Sequence, residues 1–194
     1  MKQKQIILPQ WSHNKFIVLI GLMGAGKTRL GRLLAKLLDL PFIDTDIEIE
    51  KAAGLTIEEI FNNFGEDYFR DGEKKVLTRI LSGEPSILAT GGGSFMNPIT
   101  REEIKKVGIS IWLRADIDLL VKRTKIRSDR PLLKQGNGRQ ILSKLMEDRY
   151  PIYSKADFVF DISEESALVT AKKLIEMLNK TRSFDKKPDK KDYG

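Results

Sequence analysis

The sequence predicts an α/β fold, a doubly wound, five-stranded parallel sheet flanked by helices. Three observations carry that expectation. Short apolar runs alternate with stretches of helical periodicity, the pattern of strand–helix–strand units with right-handed crossovers. The first apolar run passes directly into a glycine-rich turn that opens a helix. The length of 194 residues, with 41% hydrophobic and 31% charged side chains, suits one domain with a sizeable core.

Taken in order, residues 1–15 read as a polar extension. Phe16-Ile-Val-Leu-Ile20 is a continuous apolar run, as expected of a strand buried on both faces. A helix follows from Lys27 to about Asp39, with Leu30, Leu33, Leu34, Leu37 and Leu38 on one face and Pro41 as its stop. Phe42-Ile43-Asp44 is a second strand. Thr56 and Glu59 make a capping box for a helix carrying Ile57, Ile60 and Phe61. Another helix runs roughly from Glu66 to Leu81. Ser86-Ile-Leu-Ala89 is the third strand and runs into Gly91-Gly92-Gly93, and Ile109-Ser-Ile-Trp-Leu113 is the fourth. A helix over Asp116–Lys125 precedes a charged segment, Ile126–Arg139, whose Pro131, Gly136 and Gly138 predict a mobile loop. A helix over Gln140–Tyr150, a strand Phe158-Val-Phe160 and a helix over Glu164–Asn179 complete a domain over residues 16–180. Residues 181–194 are poor in apolar side chains and predict a disordered tail.

Composition narrows the function classes. No apolar run approaches the ~18 residues of a membrane span, and no apolar signal core opens the chain. With no cysteine, disulfides and thiol-ligated metals are excluded, which fits a cytoplasmic protein. The net charge of +7 is spread out, with part in Lys186, Lys187, Lys190 and Lys191, rather than clustered with aromatics as nucleic-acid binding would want. An anionic small substrate is the better partner, and the expectation is a monomer that engages neither nucleic acid nor membrane.

Gly21-Leu-Met-Gly-Ala-Gly26-Lys27-Thr28 fits the phosphate-loop pattern G-x-x-x-x-G-K-[ST] between a strand and a helix. Glycines let successive N–H groups turn toward phosphate oxygens, and the helix adds its positive end. A chance match in such a chain is an accident of roughly one in a hundred. The expected nucleotide contacts are Gly24, Ala25, Gly26, Lys27, Thr28 and Arg29, with Lys27 at the β and γ phosphates and the Thr28 hydroxyl on Mg²⁺.

The loop fixes the nucleotide, not the acceptor. The third strand lacks the terminal Asp that many nucleotide hydrolases use for Mg²⁺, and no N-K-x-D guanine signature follows, which argues against a GTPase. The acids sit instead at Asp44 and Asp46, where the alternation of an extended segment would turn both into one crevice. Asp44 would then serve Mg²⁺ and Asp46 an acceptor hydroxyl; equally, both suit a helix cap. Arg70 and Glu73 share a helical face, the usual mark of a surface ion pair. Gly91-Gly92-Gly93 marks a sharp bend or a close approach, and its place at a strand's carboxyl end favours close approach.

Together these segments resemble the shikimate kinase family over about residues 16–179. Arg70, Glu73, Leu77 and Ile87-Leu-Ala-Thr-Gly-Gly-Gly93 match its signature region, as do Phe42-Ile-Asp-Thr-Asp46, Arg130-Pro-Leu-Leu133 and Arg149-Tyr-Pro-Ile-Tyr153. The resemblance implies a P-loop fold of the nucleoside-monophosphate-kinase type with a lid over about 126–139. It implies ATP- and Mg²⁺-dependent phosphorylation of the 3-hydroxyl of shikimate, a step in aromatic amino-acid synthesis. By motif, Thr28 and Asp44 match the Mg²⁺ positions, and Asp46, Arg70, Gly92, Gly93 and Arg149 the shikimate contacts. Arg130 matches a lid arginine that reaches ATP, so that Lys27, Asp46 and Arg130 carry the catalysis, and Arg123 matches a position near the adenine. The family often has a basic residue after the last strand, where this chain has Ser163-Glu164-Glu165. Independently, planar guanidinium groups such as Arg70 and Arg149 suit a carboxylate substrate, and phosphoryl transfer needs positioning and charge neutralisation.

His13, the sole histidine, reads as solvated surface, and Trp112 as core packing. The rivals are another small-molecule kinase of this fold, acting on gluconate or a nucleotide, and a catalytically silent binding module.

Overall fold

The computed structural model describes residues 14–125 and 138–180. His13, Arg130, nearly all of the segment expected to be a lid, all but two residues of the N-terminal extension, and the C-terminal tail lie outside the described residues.

Five strands form one parallel sheet: β1 (Phe16–Ile20), β2 (Phe42–Asp44), β3 (Ile87–Ala89), β4 (Gly108–Arg114) and β5 (Phe158–Asp161), in the order β2-β3-β1-β4-β5. The unbroken apolar run of β1 is explained by its place, for it is central and every residue is buried. The sheet order reverses on either side of β1, so a crevice opens beyond its carboxyl end, where β3 and β4 diverge into different crossovers. Register sets what meets there. Asp44 lies beside Ala89, and Ile20 beside Trp112.

The helices are α1 (Lys27–Leu38), α2 (Thr45–Ala53), α3 (Ile57–Leu81), α4 (Pro98–Val107), α5 (Ile117–Lys125), α6 (Gly138–Tyr153) and α7 (Ala167–Lys180). Along α1, Leu30, Leu34 and Leu38 are buried on the sheet, and Asp39 ends the helix in the left-handed conformation. The Thr56–Glu59 capping box is formed reciprocally. Gly65 (φ 82°) breaks α3 into two helical pieces, matching the two helices read from the sequence. Trp112 is buried and meets Tyr150 edge-on, with ring centres 4.7 Å apart, in keeping with a packing role.

Several stretches differ from the sequence reading, beginning with α2 over Thr45–Ala53, which was given no element there. A 3-10 turn (Ser94–Met96) and α4 occupy a stretch given no element; Asn97 caps α4 through Ile99 N–H, with Pro98 in the first turn. The last helix begins at Ala167 rather than Glu164, because Ser166 accepts from Val169 N–H and leaves Glu164 and Glu165 in the preceding loop. Finally, α6 does not stop at Tyr150. It runs through Pro151 to Tyr153, one further turn that changes what faces the crevice. No described helix is long and apolar enough to cross a membrane.

Candidate active site

The crevice is a cavity of about 920 Å³ whose lining includes Gly24–Arg29, Asp44, Asp46, Gly92 and Arg123. Its floor is the loop between β1 and α1. Gly24 (φ 85°) and Gly26 (φ 93°) hold conformations that side-chain-bearing residues rarely adopt, which bends the loop back over the first turn of α1. The Lys27 ammonium lies along this loop, donating to the Gly21 carbonyl at 2.7 Å and the Leu22 carbonyl at 3.1 Å. Arg123, reaching in from α5, donates to the carbonyls of Gly24 (3.4 Å) and Ser163 (3.1 Å). Burial and the neighbouring charge of Arg29 lower its pKa, against Glu164 and Asp116. The cavity continues past Ile162 and Glu165 to Ala167.

The extended geometry expected for Asp44 and Asp46 does not hold. The strand ends at Asp44, which caps α2, and Asp46 stands in that helix's first turn. The cap and site readings turn out to be compatible, because Asp44 uses its two oxygens separately. Oδ1 accepts from Asp46 N–H at 3.1 Å, while Oδ2 accepts from the Thr28 hydroxyl at 2.8 Å. Both acids line the cavity, brought there by a strand-to-helix turn rather than by alternation. A hydroxyl and a carboxylate meeting at the phosphate loop are oxygen ligands of the sort Mg²⁺ accepts, since it keeps most of its shell for water and phosphate. The donor set therefore fits that ion, although no cluster of three acidic or histidine side chains occurs among the described residues.

Gly92 of the triple glycine also lines the cavity, and what crowds the three glycines is side chain. A Cβ on Gly91 would stand 2.7 Å from Glu73 Oε1 and 2.9 Å from Asp46 Oδ1. On Gly92 it would stand 3.0 Å from Arg149 Nη1, and on Gly93 2.6 Å from Arg70 Cζ. None of the three has positive φ, so close approach rather than a strained bend requires glycine here. Two arginines and two acids thus converge on one short backbone stretch. Arg149 reaches Gly92 from α6 and Arg70 reaches Gly93 from α3.

Arg70 is held by acids on its own helix. Nη1 donates to Glu73 Oε2 at 2.8 Å, and Nη2 and Nε donate to Glu66 Oε1 at 2.9 and 3.1 Å. Burial works against its charge, but Glu73 and then Glu66 outweigh burial and raise its pKa. Glu73 is only 4% exposed and also accepts from the Ser94 hydroxyl at 2.6 Å. Its place is core-side, not the surface pair the spacing alone suggests.

Sequence reasoning assigned no role to Ser94, Thr45 or Tyr153. Thr45, buried, accepts from Gly91 N–H at 3.0 Å. Tyr153, fully buried, donates its hydroxyl to the Gly92 carbonyl. A signal for Tyr153 was present, because it lies four residues after Arg149 and hence on the same helical face. Ending that helix before Pro151 hid it.

The chain is similar to known proteins over most of its length. The family model described as Shikimate kinase matches residues 23–179. A Shikimate kinase of Paramagnetospirillum magneticum is 54% identical over 162 residues, covering 84% of this chain and 83% of that one. Among solved structures, shikimate kinase from Acinetobacter baumannii in complex with shikimate aligns with a TM-score of 0.83 at 37% identity, covering 89% of this chain and 98% of that one. A gluconokinase from Sinorhizobium meliloti aligns with a TM-score of 0.53 at 17% identity, covering 86% and 97%, which is likeness of fold alone.

Proposed function

Because the chain belongs to the shikimate kinase family, we propose that it transfers the terminal phosphoryl group of ATP to the 3-hydroxyl of shikimate, giving shikimate 3-phosphate and ADP. The observation that carries this reading is the convergence of Asp46, Arg70 and Arg149 on the triple glycine, whose Gly92 lines one cavity with Asp46 and the phosphate loop. A basic pair suits a carboxylate, and an acid suits a hydroxyl.

In this reading the backbone of Gly24–Gly26 cradles the phosphates and Lys27 exchanges its carbonyl partners for phosphate oxygens. Thr28 and Asp44 hold Mg²⁺, whose chemistry when bound is to neutralise charge on the phosphates. Arg29 and Arg123 flank the nucleotide in the cavity. Arg70 and Arg149 fix the shikimate carboxylate, and the backbone of Gly92 and Gly93 lets the ring approach closely. Asp46 orients the 3-hydroxyl for in-line attack and accepts its proton as the oxygen–phosphorus bond forms. Arg130 lies outside the described residues, and its part in transfer is supported by the motif resemblance.

A coupled assay of ADP formation across shikimate, gluconate and AMP tests the reading. Shikimate should stimulate far above background, and the other two should not. Equal stimulation by gluconate would assign the chain to a different acceptor.

A further inference from the structure

Two buried hydroxyl groups border the triple glycine and take no part in the phosphate chemistry. Thr45 opens α2, directly after Asp44, and its Oγ1 receives Gly91 N–H at 3.0 Å. Tyr153 ends α6, one turn beyond Arg149, and its hydroxyl donates to the Gly92 carbonyl. Between these anchors Ser94 N–H donates to the Gly91 carbonyl at 3.2 Å. A peptide is planar and trans, so fixing the Gly91 carbonyl also fixes the Gly92 N–H, which points the opposite way. Three glycines in a row are otherwise the loosest backbone a chain can offer. Here each flanking polar group is tied to a different helix.

The Tyr153 hydroxyl is not needed for packing. The Tyr153 ring sits against Trp112 and Tyr150, with centroids 6.0 and 6.3 Å away, and phenylalanine would fill that space as well. The Arg149 guanidinium lies close to both Gly92 and the Tyr153 hydroxyl. We infer that Tyr153 and Thr45 are positioning residues for the acceptor, clamping the Gly91–Gly93 backbone from two helices, with Tyr153 also steadying Arg149. The inference rests on the reading that Gly92 and Arg149 contact shikimate. Burial, opposed by the nearby Arg149, pushes the Tyr153 pKa up to about 12, so the hydroxyl remains a donor across the working range.

The test is steady-state kinetics on the full chain carrying Tyr153→Phe or Thr45→Val, each of which removes one hydroxyl and nearly preserves volume. The KM for shikimate should rise roughly three- to tenfold, as for loss of one hydrogen bond, while the KM for ATP stays within about twofold. Combined with Arg149→Lys, the effect of Tyr153→Phe should be smaller than in the wild type, because both act on one carboxylate contact. Should Tyr153→Phe fail to fold, Thr45→Val decides alone. Unchanged shikimate KM in the folded variants, or an equal rise in both KM values, overturns the clamp. A wild-type chain that shikimate does not saturate removes the functional reading and the clamp together, whereas a saturable wild type with indifferent variants removes only the clamp.

Discussion

Glu73 holds Arg70 from three residues away on one face of α3, Nη1 to Oε2 at 2.8 Å, with the carboxylate almost wholly withdrawn from water. An exposed pair at this spacing contributes little. A buried carboxylate differs, since it must be paired and hydrogen-bonded to be tolerated at all. Arg70 and Ser94 supply that pairing, and Glu73 in return fixes a guanidinium against Gly93. The arginine is thereby oriented before any substrate arrives.

Removing Arg70 should therefore harm stability as well as binding. Arg70→Ala leaves Glu73 with Ser94 alone, a loss of about 1–3 kcal/mol, or roughly 3–10 °C in Tm. Arg70→Lys should recover much of the Tm but little of the shikimate affinity, because an ammonium keeps the charge and lacks the planar fork. Thermal melts and shikimate KM on the two variants check both halves. An Arg70→Ala chain that melts like the wild type would contradict the burial argument.

Asp44 and Asp46, two residues apart, should fail in different ways. Asp46→Asn removes the group placed at the acceptor hydroxyl and should lower kcat by about 10²-fold or more, with Mg·ATP affinity within a few-fold. Asp44→Asn retains an oxygen for Asp46 N–H but weakens the Thr28 side, so it should raise the Mg²⁺ concentration needed for half-maximal rate. Metal and substrate titrations separate the two. Near-normal kcat in Asp46→Asn would mean that another group orients the hydroxyl.

How much of this was legible in the sequence follows from how local each signal is. The phosphate loop and β1 were readable because glycine spacing and an unbroken apolar run are properties of a few adjacent residues. The Thr56–Glu59 box was readable for the same reason. The Asp44–Asp46 pair was legible in part: the helix-cap reading holds for Asp44, while the alternation reading fails because the strand ends there and Asp46 already stands in α2. Between Gly93 and Ile109 the pattern is carried by a cap at Asn97 and few apolar positions, so α4 left a weak trace. Tyr153 was missed because the helix was read as ending at Tyr150; α6 instead carries Pro151 in its last turn and runs on to Tyr153. The clamp on the triple glycine was beyond reach, since it joins residues 46 and 61 positions apart.

Alkaline pH should expose Tyr153. Its pKa is raised from 10.0 to about 12 in the folded chain, so the folded state holds this proton more tightly than the unfolded state. The associated stability is fully present below the unfolded pKa and is lost as pH rises from roughly 10 to 12. The amount is about 2–3 kcal/mol. Denaturant unfolding at stepped alkaline pH should show the wild type losing that much more than Tyr153→Phe over the same range. Parallel curves for the two would show that the buried hydroxyl ionises as freely when folded as when unfolded.

The central claim is phosphoryl transfer to one defined oxygen, and product analysis reaches it most directly. The full-length chain is incubated with Mg·ATP and shikimate, and the products are assigned by phosphorus and proton NMR while ADP is counted in parallel. The account predicts a single phosphate ester at the 3-oxygen, formed one for one with ADP. Shikimate left unmodified while ADP and free phosphate accumulate, or an ester at another hydroxyl, would contradict it.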